Sequence, residues 1–435
     1  MKKLTILLMA MFAFQQIYAQ EDTLLTHYRQ RALMYQQSVK IAQEQVHGAE
    51  SKAESVKSSR LPSLDFNSKY NYYGQPLQLA PTGGSTVGEE THNFYNLSLD
   101  LYQPIFTGGE LKNTKLAAES EVNIKKSMLV MSKQQVVYNS DILFWNAVSK
   151  KEINNLYSKY KESISEFLKV IQDRVDEEIV GKNELYQAKV RFDDAEYNCI
   201  RSKKEFDVSI MNINKFIGQD LYVPALVADS LTSVEWIKTT QSLADVALSQ
   251  RPEMQMMKEQ VVKNQYTEKA SGSKFKPQMG ILASGRWGSP SPGLQLDPDF
   301  NYNIKAFLTI PIFHWGQKKE EQLVARKMTE ISRLQMQETV DQITLEVNSS
   351  YYMLEKSQEQ LDYAFSSMHN ATQNVSVMLD RYNEGLSSVL EVLDAELYWQ
   401  KSYYNYILAK YELNVAYSKY QYSIGELSKI DVKQE

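Results

Sequence analysis

The chain has 435 residues, 43% of them hydrophobic, with 48 basic and 53 acidic side chains and a net charge of −5. That balance argues against a nucleic-acid partner, and a lone cysteine, Cys199, excludes an internal disulfide. Beyond the leader, no stretch approaches the roughly 18 consecutive apolar residues of a membrane helix.

Residues 1–19 read as an export signal. Lys2 and Lys3 form its charged start, Leu4 to Phe14 its apolar core and Ile17-Tyr18-Ala19 its cleavage site. Removing it takes two lysines and leaves 46 basic against 53 acidic residues, net −7. Export implies an oxidising compartment, in which Cys199 is expected to be a packing residue. A first repeat is expected over 20–217, opening with a helix over roughly 22–59.

A β-hairpin over 62–104 follows. Leu64, Phe66, Tyr70 and Tyr72 alternate with Asp65, Asn67, Lys69 and Asn71, and Tyr95, Leu97, Leu99 and Leu101 alternate with Asn96, Ser98 and Asp100. Period-two segments of about ten residues, apolar on one face and polar on the other, are the mark of an outer-membrane barrel. A half-buried sheet in a soluble domain alternates in the same way. The strands end at Pro104-Ile105-Phe106, and Gly74–His92 is expected to be an exposed loop.

The window 110–217 is 108 residues long, contains no proline and has one glycine, Gly181. Proline removes a backbone donor and glycine weakens a helix interior by about 1 kcal/mol, so a helical hairpin over 109–217 is expected. Residues 109–178 alone would make a helix about 105 Å long. Ile153, Tyr157, Tyr160, Ile164, Phe167, Ile171 and Val175 carry the three-and-four spacing of coiled-coil packing. The chain turns back near Gly181.

Residues 218–250 break this pattern with Pro224 and the short apolar pieces Leu221-Tyr222-Val223 and Val234-Glu235-Trp236-Ile237. A small mixed α/β insert is expected there.

The second repeat, 251–425, runs through the same series. Pro252 starts a helix to about residue 274, and a hairpin occupies 277–311. Met279, Ile281, Ala283 and Trp287 oppose Gln278, Ser284 and Arg286; Tyr302, Ile304, Ala306 and Leu308 oppose Asn301, Asn303, Lys305 and Thr309, with Phe307 as the exception. Gly288–Phe300 is its loop. After Pro311-Ile312-Phe313 comes a second window, 317–424, again 108 residues without proline and with one glycine, Gly385. It predicts a helical hairpin over 316–425, with Leu361, Phe365, Met368, Thr372, Val375 and Leu379 as its stripe. Residues 426–435 form a tail.

The two copies superpose at a constant offset of 207 residues, Gln103–Gly218 on Ile310–Gly425, without a gap. Pro104 and Gly109 meet Pro311 and Gly316; Arg174, Glu177, Glu184 and Ala188 meet Arg381, Glu384, Glu391 and Ala395. Two copies are too few for a solenoid, so an old duplication is the better reading. Four strands cannot close a barrel, and an open edge cannot sit in lipid. Several chains must share one, and three would give twelve strands.

No catalytic constellation is present. The five histidines show no ligand spacing and there is no phosphate-binding glycine loop. Met254, Met256 and Met257 lie on a predicted helix, where packing outweighs soft-metal binding, so neither metal nor cofactor is expected.

Over essentially the whole mature chain these residues resemble the TolC-like outer-membrane efflux protein family. The resemblance is carried by Ala247-Leu248-Ser249-Gln250-Arg251-Pro252-Glu253, by the turns Pro104-Ile105-Phe106-Thr107-Gly108-Gly109 and Pro311-Ile312-Phe313-His314-Trp315-Gly316, and by the segment from Tyr382 to Ala395. It implies a trimer in which each chain adds four strands to a twelve-stranded transmembrane β-barrel. The helices would form a periplasmic α-barrel and the insert an equatorial belt. It also implies a passive exit duct in the outer membrane of a Gram-negative bacterium, docked to a periplasmic adaptor and an inner-membrane transporter, and equally suited to drug, metal or protein cargo. Asp394, Glu391 and Glu184 match the family's acidic positions at the periplasmic aperture, and Tyr382 matches a tyrosine that helps hold the closed state. Ser387 stands where an arginine would lock the tip, leaving Arg381 or Arg174 for that task. The rival readings are a coiled-coil stalk without a channel and, more remotely, a periplasmic enzyme on a helical scaffold.

Overall fold

A computed structural model describes residues 23–79, 89–231, 243–289 and 297–429. The expected signal peptide, Val234–Ile237 and the last residues of the tail lie outside them. The chain divides into two compact units: Gln43–Ser127 with Gln255–Glu338, and Met1–Ala42, Met128–Met254 and Thr339–Glu435.

The first of these units holds one four-stranded antiparallel sheet, ordered β1 (Ser63–Leu79), β2 (Glu89–Thr107), β3 (Gln278–Ser289), β4 (Asp299–Thr309). Its register sets Phe66 opposite Leu99, Leu99 opposite Gly285 and Gly285 opposite Tyr302. The expected apolar residues therefore share one face, and Asp100, Ser284 and Asn303 align across the other. Two boundaries differ from expectation. β1 and β2 continue past Gly74 and His92 through a register shift between Tyr72 and Leu77, and the rest of the expected loop lies outside the described residues. Pro104 lies within β2 rather than ending it. β1 pairing stops at Tyr102, and the ladder to β3 shifts between Pro104 and Phe106, so the imino nitrogen meets no demand for a donor.

The helices follow the proline-free windows. α1 covers residues 23–35 and α2 Gln37–Ser58; α3 (Glu110–Asp176) and α4 (Lys182–Ile217) form the first hairpin. α5 (Leu243–Gln250) and α6 (Pro252–Ser271) lead to the second hairpin, α7 (Gln317–Asn383) and α8 (Val389–Ser423). α3 and α7 are both 67 residues long, as a duplication requires. Among the described residues no helix is long and apolar enough to cross a membrane. The single opening helix expected over 22–59 is broken at Gln36, whose side-chain amide donates to the Phe216 carbonyl at 2.5 Å. Tyr35 beside it packs on Gly218, where a Cβ would overlap the ring at 2.1 Å. The end of α4 thus sets the break, and no local signal marks it.

The insert is described only in part. Leu221-Tyr222-Val223 forms turns, with the Val223 amide donating to Asp220, and the described helix of the insert is α5.

Within the helical unit, Phe144, Val148, Ile213 and Ile407 form a core with Tyr28 and Ala32 of α1. Further along, Tyr160, Ile164, Phe167 and Ile171 of α3 pack with Leu185 and Ala188 of α4 and Val392 and Leu393 of α8. Burying such a side chain contributes about 1.5–3 kcal/mol. The expected stripe of α3 is therefore core. The stripe of α7 is not its equal: Leu361 is buried with Leu354, Ala409 and Leu413, whereas Phe365 is exposed.

Candidate functional site

The passage from strand to helix needs two successive left-handed residues in each copy. Gly108 and Gly109 have φ of +64° and +95°; Trp315 and Gly316 have +44° and +83°. Gly108 admits no side chain, because a Cβ would lie 2.4 Å from the Ser273 carbonyl oxygen. The equivalent Trp315 adopts the same strained region with its ring edge-on to Phe313. Asn113 caps the first turn, donating from its side chain to the Gly109 carbonyl at 2.8 Å. Pro104, Gly109, Pro311 and Gly316 all fall at these passages, although Pro311 follows β4 while Pro104 lies in β2.

On the sheet, the apolar face stands open: Phe66 is 67% exposed and Ile304 71%. The polar face is knitted together. The Asp100 carboxylate accepts from Asn67 at 2.9 Å, from Ser98 at 2.9 Å and from Ser284. Charge on that face is thus held by neighbouring strands.

The expected aperture residues lie at the hairpin tips and in the opening turns of α4 and α8. α7 ends in a Schellman motif: Leu386 donates to the Arg381 carbonyl at 2.8 Å, Gly385 donates to Tyr382 at 3.0 Å, and Gly385 has φ +74°. In the first copy Ile179 donates to Arg174 and Glu178 to Val175, and Glu178 carries φ +58°. Glu178 is therefore the counterpart of Gly385. Gly181, near which the turn is expected, caps the start of α4.

Glu184 and Glu391 occupy the same position in the first turns of α4 and α8. Glu391 closes a capping box with Ser388, its carboxylate accepting from the Ser388 amide at 2.7 Å and hydroxyl at 3.0 Å. The Ser388 amide, and then its hydroxyl, hold the Glu391 carboxyl below its usual range. Glu184 faces Gly181, which has no side chain to reciprocate. Asp394 is half exposed and pairs with Arg191 of α4 at 3.3 Å.

Tyr382 is 3% exposed, edge-on to Phe167 at 5.0 Å. Arg174 lies over its ring and donates to its carbonyl. Burial, opposed by the Arg174 charge, raises the Tyr382 phenol above its ordinary value. Of the two arginines expected at the tip, Arg174 reaches Tyr382, while Arg381 donates to the Leu386 carbonyl of its own loop. Ser387 donates to the Met378 carbonyl.

Three features escaped the sequence. Arg191 neutralises Asp394. Glu396, 2% exposed, holds one hydrogen bond, from Ser163 at 2.7 Å, and burial raises its carboxyl. Glu152 and Lys410 form a buried pair at 2.5 Å, and the second Glu152 oxygen accepts the Leu231 amide. A lone acid at a helical core position, as Glu396 is, was the available signal. The Arg251-Pro252-Glu253 element is structural: Arg251 is 4% exposed and bonds Glu253, Glu346 and the Ser423 carbonyl. Among the described residues no group of three or more His, Cys, Asp or Glu is placed to hold a metal ion.

The model of the outer membrane efflux protein family matches residues 243–425. The chain is 22% identical to outer membrane protein TolC of Escherichia coli (strain K12) over 428 residues, 94% of this chain and 82% of that protein. It is 18% identical to alkaline protease secretion protein AprF of Pseudomonas aeruginosa, covering 86% of this chain and 78% of that one. Its fold superposes on the CmeC outer membrane channel of Campylobacter jejuni with a TM-score of 0.78 at 18% identity, over 94% of this chain and 87% of that one. The resemblance carried by the motifs is thereby borne out: the chain is similar to outer membrane efflux proteins in sequence and to TolC-like channels in fold.

Proposed function

We propose that this TolC-like chain is one third of a passive exit duct, closing a twelve-stranded barrel in the outer membrane with two further copies. One observation carries the reading. β1 and β4 each have a single partner strand, while the sheet presents an open apolar face and a hydrogen-bonded polar one. Lipid satisfies an apolar face but not an unpaired strand edge, so β4 of one copy must pair with β1 of the next. The coiled-coil stalk has no use for such a sheet.

In this reading the helices line a periplasmic tunnel, and the half-open stripe of α7 packs on a neighbouring copy. Asp394, Glu391 and Glu184 line the aperture, and Tyr382 helps keep it closed. Energy and cargo selection come from an inner-membrane transporter reached through a periplasmic adaptor, as in a tripartite efflux or type I secretion system. The duct itself performs no chemistry.

Mass measurement of the purified protein in detergent tests the assembly. Three copies are expected; a stable monomer, or recovery in the soluble periplasmic fraction, would overturn it. An epitope placed at residues 82–84, which follow β1 in the sequence and lie outside the described residues, is expected to bind antibody on intact cells. Staining only after the outer membrane is broken would reverse the orientation.

A further inference from the structure

The polar face of the sheet carries an apolar cluster that the duct reading does not use. Phe307 breaks the alternation of β4 and lies on the polar side with Asn303 and Lys305. In register, Tyr102 of β2 faces Leu282 of β3, which faces Lys305 of β4; the next row sets Gly280 against Phe307. The rings of Tyr102 and Phe307 meet across Gly280, with centroids 6.1 Å apart and planes within 15°. Gly280 is needed for this. A Cβ there would stand 2.7 Å from the Phe307 ring and 3.0 Å from that of Tyr102. The rings nevertheless keep 37% and 39% of their surface open.

The charge beside them is positive. Among the described residues the Lys305 side chain makes no ion pair or hydrogen bond within the chain. Asp100, in the adjoining row, is occupied by three donors; Asp65 lies three strands from Lys305 within the chain, although β1 of the next copy adjoins β4 in the closed barrel. Exposed, nearly parallel rings offer flat faces to a third ring, and an unpaired ammonium next to them attracts an acid group.

We propose that Tyr102, Phe307 and Lys305 form a contact site on the pore wall for planar aromatic anions, repeated in each copy at the end of the barrel from which the helices leave. The ring of the solute stacks on Tyr102 and Phe307 while its acid group pairs with Lys305. This rests on the duct reading, because only closure of the barrel turns the polar face toward a pore. An apolar wall at that level slows an aromatic anion relative to an aliphatic one of equal charge.

The test is ion conduction by the purified protein in planar bilayers, titrated with 1-naphthalenesulfonate and, as the control, cyclohexanesulfonate. Naphthalenesulfonate is expected to reduce the current at the lower concentration. Phe307→Thr and Tyr102→Thr are each expected to weaken that block about three- to tenfold, the scale of one aromatic contact. Phe307→Tyr retains it. Lys305→Gln, a change at a side chain without partners, weakens block by both sulfonates. Equal block by the two sulfonates in the wild type, or block unmoved by Phe307→Thr and Lys305→Gln, overturns the site while leaving the duct intact. A wild-type protein without conductance overturns the duct reading and the site with it.

Discussion

The guanidinium of Arg174 lies 4.3 Å from the centre of the Tyr382 ring and donates to the Tyr382 carbonyl oxygen at 3.3 Å. These residues, 208 positions apart, tie the end of α3 to the end of α7, so the two hairpins of one chain are latched at their tips. Arg174→Ala removes both contacts and a desolvated cation–π interaction of about 1–2 kcal/mol. It is expected to raise conductance through the tip and to speed proteolysis of the segment after Tyr382. Arg174→Lys keeps the charge without the flat stack and should fall between. Current and digestion rate equal to wild type in Arg174→Ala would remove the latch.

Asp394 is not a free acid, because Arg191 stands 3.3 Å away. Arg191→Gln should therefore increase cation selectivity and block by trivalent cations, and Asp394→Ala should reduce both. The stability change is expected to be small, at about 0.2–1 kcal/mol for a half-exposed pair. Reversal potentials in a salt gradient measure the effect. If neither variant moves them, the narrowest point lies elsewhere.

Glu346 and Glu396 should respond to acid in opposite senses. Burial works to raise Glu346, but hydrogen bonds from Lys419 and Arg251, with their charges, outweigh it and hold its carboxyl below the ordinary value. Its contribution is thus present above the unfolded pKa and lost as pH falls through the folded one. Glu396, raised by burial against one bond from Ser163, destabilises the folded chain when ionised. That penalty is relieved as pH falls from its raised pKa to the unfolded value. Melting curves of Glu396→Gln should show a higher Tm near neutrality and less gain on mild acidification. Arg251→Ala strands Glu253 and Glu346 and should cost about 3–5 kcal/mol. A Tm of Glu396→Gln below wild type at neutral pH would contradict a penalty for the ionised Glu396 carboxylate.

Left-handed positions occupied by side chains mark where stability is left to gain. Glu178 and Trp315 stand at the positions that glycine fills in the other copy, and each conformation costs roughly 1–2 kcal/mol. Glu178→Gly is expected to stabilise the chain by about 1 kcal/mol. Gly108→Ala combines strain with overlap on the Ser273 carbonyl and should cost more than Gly316→Ala, where the space is open. Thermal unfolding of these variants measures the order.

The duplication, the 67-residue helices and the two faces of the sheet were legible in the sequence, because each depends on local terms. Absence of proline over 108 residues leaves long helices free to form, and period two sends Leu64, Phe66 and Leu99 to one side whatever else the chain does. For the residues expected at the aperture, the sequence carried a place near the hairpin tips but not their contacts. That Glu178 takes the left-handed position of the first turn, that Gln36 interrupts the first helix, and that Arg174, Arg191 and Ser163 meet Tyr382, Asp394 and Glu396 were decided by tertiary structure. The break at Gln36 is made by Phe216 and Gly218, and those three pairs join residues 203 to 233 positions apart. Such contacts exist only once the hairpins have packed, and no propensity along the chain carries them.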